Sequence, residues 1–262
     1  MRVALTTTRI DQSACRQADR TVLFQKAIGS VIVVAVTQPG GAFNLTSAQL
    51  FKALVAPADG RKATRPTKWS DIDPALPDST IRLLLPAAGS LEERALLLAV
   101  ARGCAISPGA RPSAGVSQQV PACGALRNDA AVARAQPGQI ASAWLRSAGP
   151  GAVAFVGYGQ LAADGELIGL MPIDGRIASS ATLLANEYPA ALVIYALASR
   201  SARSSDARRE AVVPLADALL SEGAIGPYGN IASRGLAPLP VQERVAVRNA
   251  FGQFLMKTGV WE

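Results

Sequence analysis

Two hydrophobic rhythms share this chain. Short, mainly apolar runs recur at residues 29–36 (Gly-Ser-Val-Ile-Val-Val-Ala-Val), 81–85, 151–158 and 191–198. Each is too brief for a helix and rich in branched side chains, which predicts strands buried on both faces. Between them, apolar residues fall three and four positions apart. That spacing predicts helices from Asn44 or Thr46 through residue 56 (with Leu45, Leu50, Phe51 and Leu54 inward), over 91–102, over 139–147, over 211–221 and over 241–255. Weaker patterns predict a strand at 2–5, a helix at 11–18, an extended link at 21–26, a strand at 167–172 and a short helix at 182–186. Trp69 and Ile72 are expected to plug a core from the turn region 69–77, and Gly103 to end the helix before it. Single buried strands alternating with helices predict an α/β protein with a largely parallel sheet or sheets.

One stretch stands out, residues 83–94 (Leu-Leu-Leu-Pro-Ala-Ala-Gly-Ser-Leu-Glu-Glu-Arg). A strand meets Pro86, turns through small residues and becomes helical at Ser90. Ser90 with Glu93 forms a capping box. Such a corner points unpaired N–H groups and the positive end of a helix dipole above the strand, which suits an anion. It is equally the way any α/β unit turns, and the pattern alone leaves both readings open.

Composition narrows the chemistry. Of 262 residues, 50% are hydrophobic and 17% charged, as in an ordinary globular protein long enough for two cores. The net charge is +7, carried mostly by Arg. The densest basic group (Arg200, Arg203, Arg208, Arg209) is interleaved with Ser, Asp and Glu, and aromatics make up only 5%, which argues against nucleic acid as a partner. Histidine is absent, so the commonest general base and metal ligand are missing. No metal-ligand spacing occurs, and Gly157 with Gly159 lacks the third glycine and downstream acid of a dinucleotide fingerprint. Carboxylates exist (Asp71, Asp73, Asp129, Glu92, Glu93), but no nucleophile–base arrangement accompanies them, and Asp71 and Asp73 read as turn caps. We therefore expect a non-enzyme without cofactor or metal. Cys104 and Cys123 bracket a Pro/Gly-rich loop and admit two readings, a tethering disulfide in an oxidising compartment or two unpaired buried thiols. The first residues contain no apolar stretch of signal-peptide length, and the longest apolar runs, 31–36 and 190–198, are too short to cross a bilayer.

Several short motifs, in order along the chain, resemble the periplasmic phosphate-binding proteins of ABC uptake systems, in the type II solute-binding class. They are Asn44-Leu45-Thr46 with Phe51, Trp69-Ser70-Asp71-Ile72, Leu76-Pro77, Gly103-Cys104 with Cys123, and Leu126-Arg127-Asn128-Asp129. Phe155-Val156-Gly157-Tyr158, Ile173-Asp174-Gly175, Tyr188-Pro189, Gly226-Pro227-Tyr228-Gly229 and 235–240 (Gly-Leu-Ala-Pro-Leu-Pro) continue the series.

The resemblance implies a two-lobed α/β type II fold closing over a small anion such as phosphate. Lobe I would comprise 1–28 and 187–262 and lobe II 29–186. Lobe I would be incomplete at its N-terminal side, because the sequence starts at what resembles the family's third strand. It also implies a periplasmic or other extracytoplasmic location, and a membrane permease or another envelope protein as partner. By the same resemblance, Thr7, Thr8 and Arg9 would form one ligand loop and Gly89, Ser90 and Leu91 another, with Arg127 nearby and Cys104–Cys123 as a disulfide. The second loop is altered. Where the related branch carries Ser-Gly-Thr-Arg, Ser90 is kept and Leu91, Glu92 and Glu93 follow. Carboxylates a few ångströms from a dianion repel it by about 1–4 kcal/mol. The alternative expectation is thus a non-transport scaffold or partner-binding protein that keeps the fold and has lost phosphate.

Overall fold

The computed structural model of the chain describes residues 2–7, 9, 22–55, 65–106, 126–164, 167–179, 182, 187–200 and 206–257. The described chain is α/β and divides into two compact units, Met1–Val31 with Val193–Glu262, and Ile32–Leu192. The helix expected at 11–18 lies outside the described residues, as does the greater part of that expected at 182–186.

In the first unit, β1 (Arg2–Thr6) runs antiparallel to β7 (Ala191–Arg200), with Arg2 opposite Ser199 and Thr6 opposite Tyr195. β7 lies between β1 and β2 (Val22–Thr37). The short β8 (Ala237–Pro238) pairs antiparallel with β2 at Gly29 and Ser30. The pairing is close at Gly29, where a Cβ would sit 3.0 Å from the Ala237 carbonyl oxygen. The helices of this unit are α5 (Asp206–Leu220), α6 (Glu222–Ile225) and α7 (Val241–Lys257). Its core is partly aromatic: Phe24 meets Phe251 edge-on at 5.2 Å and Phe254 at 5.9 Å. The Arg244 guanidinium donates to both Glu222 oxygens and to the Leu239 carbonyl, fixing α7 against α6.

The second unit is built on β2, β5 (Ala152–Gly157), β3 (Arg82–Leu85) and β4 (Val132–Arg134), in that order. β2 is antiparallel to β5 and to the short β6 (Gly169–Leu170). β3 is parallel to β5 and to β4, with Leu84 opposite Ala154 and Leu85 opposite Arg134. The carboxyl ends of β3, β4 and β5 therefore share one edge. Among the described strand pairings of known direction, parallel pairing is confined to these three strands, with one isolated parallel bridge at Leu45 and Ile173, so the largely parallel sheet expected from sequence is mixed. Residues 21–26, expected as a link, belong to β2 from Val22 onward. β4 was not expected at all.

The helices follow the expected spacing. α1 (Ser47–Leu54) starts at Thr46, whose hydroxyl accepts from Gln49 N–H while Gln49 Oε1 accepts from Thr46 N–H. α2 (Leu91–Ile106) runs straight through Gly103. A Cβ at Gly103 would fall 1.9 Å from the Ser47 carbonyl oxygen, so this glycine lets α1 pack on α2 and does not end a helix. α3 (Ala141–Ala148) has no cap of its own at Ile140; the buried Asp164 of α4 (Leu161–Asp164) accepts from Ser142 N–H at 2.7 Å. Trp69 is fully buried, donates from Nε1 to the Gly151 carbonyl at 2.8 Å and meets Phe43 edge-on at 5.2 Å. Ile72 is half-buried, and Leu76 takes the inner place expected of it. Asp71 accepts from the Thr67 and Lys68 N–H groups and Asp73 from Ala75 N–H, as turn caps.

Candidate functional site

The carboxyl edge of β4–β3–β5 is where an open α/β sheet gathers ligand groups, and the residues expected at the altered loop lie on it. β3 ends at Leu85. Pro86 and the turn 87–90 follow, and α2 begins at Leu91. Gly89 adopts φ +77°, a left-handed conformation that a side chain disfavours. Its would-be Cβ faces open space, so the constraint is in the backbone alone. Leu91 is exposed.

Ser90 Oγ accepts from Glu93 N–H at 3.1 Å, half of the expected capping box. The other half is displaced by one residue: Glu93 Oε2 accepts from Gly89 N–H at 2.6 Å. The second carboxylate oxygen, Oε1, accepts from Arg134 at the end of β4, 41 residues away. The same Arg134 nitrogen donates to the Pro86 carbonyl at 3.0 Å. Glu92 goes the other way. It lies over Gly157 at the end of β5, where a Cβ would meet its Cγ at 3.4 Å and Oε1 at 3.7 Å. Gln160 closes that corner by accepting from Gly157 N–H at 3.2 Å. Two consecutive carboxylates of the first turn of α2 thus straddle β3, one toward β4 and one toward β5. The positive helix end is met from within the chain, and the Arg134 charge is matched by Glu93.

Arg127, expected near the ligand, is buried and committed elsewhere. Its guanidinium donates to Asp129 from Nε and Nη2 at 2.9–3.1 Å, and from Nη1 to the Ala53 and Pro66 carbonyls at 3.2 Å each. It ties the end of α1 to the chain before β4. Burial pushes the Asp129 carboxyl up, but the hydrogen bonds from Arg127, Ala131 N–H and Arg65 outweigh this and hold it below the usual carboxylate range. Asp71 is likewise held low by the N–H groups of Lys68 and Thr67.

On the first unit, Thr7 is half-buried at the end of β1 and Arg9 is exposed, while Thr8 lies outside the described residues. Cys104 is buried on α2, while Cys123, and with it the expected Cys104–Cys123 pairing, lies outside the described residues. Among the described residues no cluster of three His, Cys, Asp or Glu could hold a metal, and no helix is long and apolar enough to cross a membrane. Sequence reasoning missed Arg134. Its only signal was an arginine two residues before the Gln136-Pro137-Gly138 turn, inside a strand of three residues.

No protein-family model matches the sequence, and a search of curated proteins returned no match. Solved structures do match. A possible phosphate binding protein from Planctomyces limnophilus aligns over 97% of this chain and 81% of its own, at TM-score 0.71 and 17% identity. PstS from Borrelia burgdorferi aligns over 91% and 79%, at TM-score 0.58 and 13% identity. An ABC-type phosphate transport receptor from Vibrio cholerae aligns over 91% and 79%, at TM-score 0.55 and 14% identity. At these identities the likeness is one of fold. The chain has the two-lobed α/β fold of phosphate-binding proteins of ABC transporters.

Proposed function

We propose that this chain is the solute-binding component of a phosphate-type ABC uptake system. It works outside the cytoplasm, captures a small solute and delivers it to a membrane permease. Inorganic phosphate is the first candidate solute, and no covalent chemistry is required. The observation that carries the reading is the fold likeness, which extends over nearly the whole chain to a possible phosphate binding protein and to an ABC-type phosphate transport receptor. Fold alone does not fix function, and the ligand residues in this proposal are those that the sequence resemblance implies: Thr7, Thr8 and Arg9, with Gly89, Ser90 and Leu91. Arg127 enters this reading as a residue that braces α1 and the segment before β4, since its donors are already engaged. Calorimetry on the full chain tests the proposal. Saturable heat with phosphate or another small anion at or below millimolar concentration supports it, and none across such a panel rejects it.

A second reading is favoured by the Glu93–Arg134 contact, which fills the loop with the chain's own charges. The protein would then be a scaffold that binds another envelope macromolecule. Capture of the cognate permease from solubilised membranes supports transport; retrieval of a defined non-permease partner, with no solute binding, supports the scaffold.

A further inference from the structure

We propose that Glu93 is a built-in anion that sets the solute specificity of the β3–α2 loop, holding the place an incoming oxyanion would take. The inference rests on the solute-binding reading and concerns what that loop accepts. The groups here able to meet an oxyanion include the Gly89 N–H, the Ser90 hydroxyl, the first-turn N–H groups of α2 and the Arg134 guanidinium. Both Glu93 oxygens are spent on them, Oε2 on Gly89 N–H and Oε1 on Arg134. Ser90 Oγ is engaged by Glu93 N–H as well.

A simple capping box accounts for a carboxylate that reaches back to the backbone. It does not account for an arginine brought from a different strand and anchored on the Pro86 carbonyl, with the Glu93 side chain only 13% exposed and that of Arg134 33%. The arrangement is that of a guanidinium and an amide converging on an anion, where the anion is part of the chain. Glu92, over Gly157, adds a second negative charge on the other side of β3. A tetrahedral dianion approaching this edge must displace one carboxylate and tolerate another. Glu93 therefore lowers the affinity for free phosphate and selects against multiply charged oxyanions.

The test is calorimetry and thermal shift with inorganic phosphate on the full chain, comparing wild type with E93Q, E93T, E93D and the double variant E93T/R134Q. E93T and E93Q are expected to bind phosphate at least about tenfold tighter than wild type, since removing one nearby like charge is worth that much. E93D, which keeps the charge, should remain close to wild type, and R134Q should cancel the gain of E93T. Equal affinity of wild type and E93Q, or no phosphate response in any variant at millimolar concentration, overturns the inference. Should E93T not fold, E93Q is isosteric and carries the comparison. Failure of the transport reading looks different: wild type then responds to no solute in the panel, whereas this inference is read from the difference between variant and wild type.

Discussion

The α-carbon of Gly103 lies so close to the carbonyl of Ser47 that a methyl group on it would come within 1.9 Å of that oxygen. Two principles predict opposite outcomes for Gly103→Ala. Helix propensity favours alanine by about 1 kcal/mol inside a helix, while overpacking against a neighbouring backbone costs about 1–3 kcal/mol or more. The Ser47 carbonyl is main chain in a capped helix and cannot swing aside, so the steric term wins. Gly103→Ala should lower the denaturation midpoint; an unchanged or raised midpoint would mean that α1 and α2 are not in this contact.

Arg127 supports the same part of the fold by charge and hydrogen bonds. Arg127→Ala takes the guanidinium away from two carbonyls and from the half-buried Asp129, which keeps only Ala131 N–H and Arg65, and should cost about 2–3 kcal/mol, toward the lower end for breaking a buried pair. Arg127→Lys should recover little of this, because an ammonium cannot reproduce the planar fork that spans Asp129 and two carbonyls. Urea titrations of both variants measure the difference. Full recovery by lysine would show that charge alone matters.

Acid should act through Asp129. Its folded value is depressed, so it contributes stability that is present above the unfolded carboxyl value of about 3.9 and is lost as pH falls through the folded value. Asp71, Asp73 and Asp78 are shifted in the same direction by hydrogen bonds from Lys68, Ala75 and the Lys68 side chain respectively. Unfolding free energy should be level at neutral pH and decline on the acid side, and Asp129→Asn should make the decline shallower. An Asn variant with the wild-type acid profile would remove Asp129 from this account.

Asp174 caps a helix that is distant in sequence. It holds φ +51°, and its carboxylate accepts from Ser47 N–H and from the Ser47 hydroxyl, 127 residues away. Asp174→Ala loses the cap and keeps the left-handed strain, at about 1–2 kcal/mol. Asp174→Gly loses the cap and relieves the strain, so it should cost less, and Asp174→Asn least. Melting temperatures that rank alanine above glycine would contradict the conformational part of this argument.

What could be read from the sequence was what local physics decides. The run 29–36 is apolar on both faces and is found in β2; Thr46, one of the two caps expected, starts α1; Trp69 is buried. What could not be read depended on partners far along the chain. Gly103 looked like a helix stop because an open glycine after a periodic run usually is one; only α1 lying against it shows why it is glycine. β4 has three residues and no pattern of its own. Ser90 and Glu93 were legible as a helix start, but the same Glu93 also answers an arginine 41 residues on. Arg127 was expected at the ligand by resemblance, and its chemistry turned out to be spent on Asp129 and two carbonyls.

Trp69 offers a last consequence. Of the three tryptophans in the chain, Trp69 and Trp144 belong to the unit Ile32–Leu192, and Trp261 lies outside the described residues. The aromatic core of the other described unit is phenylalanine. In a Trp261→Phe variant, emission excited at tryptophan watches the unit Ile32–Leu192 alone, while circular dichroism watches both. If the two melt apart, the signals will separate, and a single sample will yield the stability of each without cutting the chain.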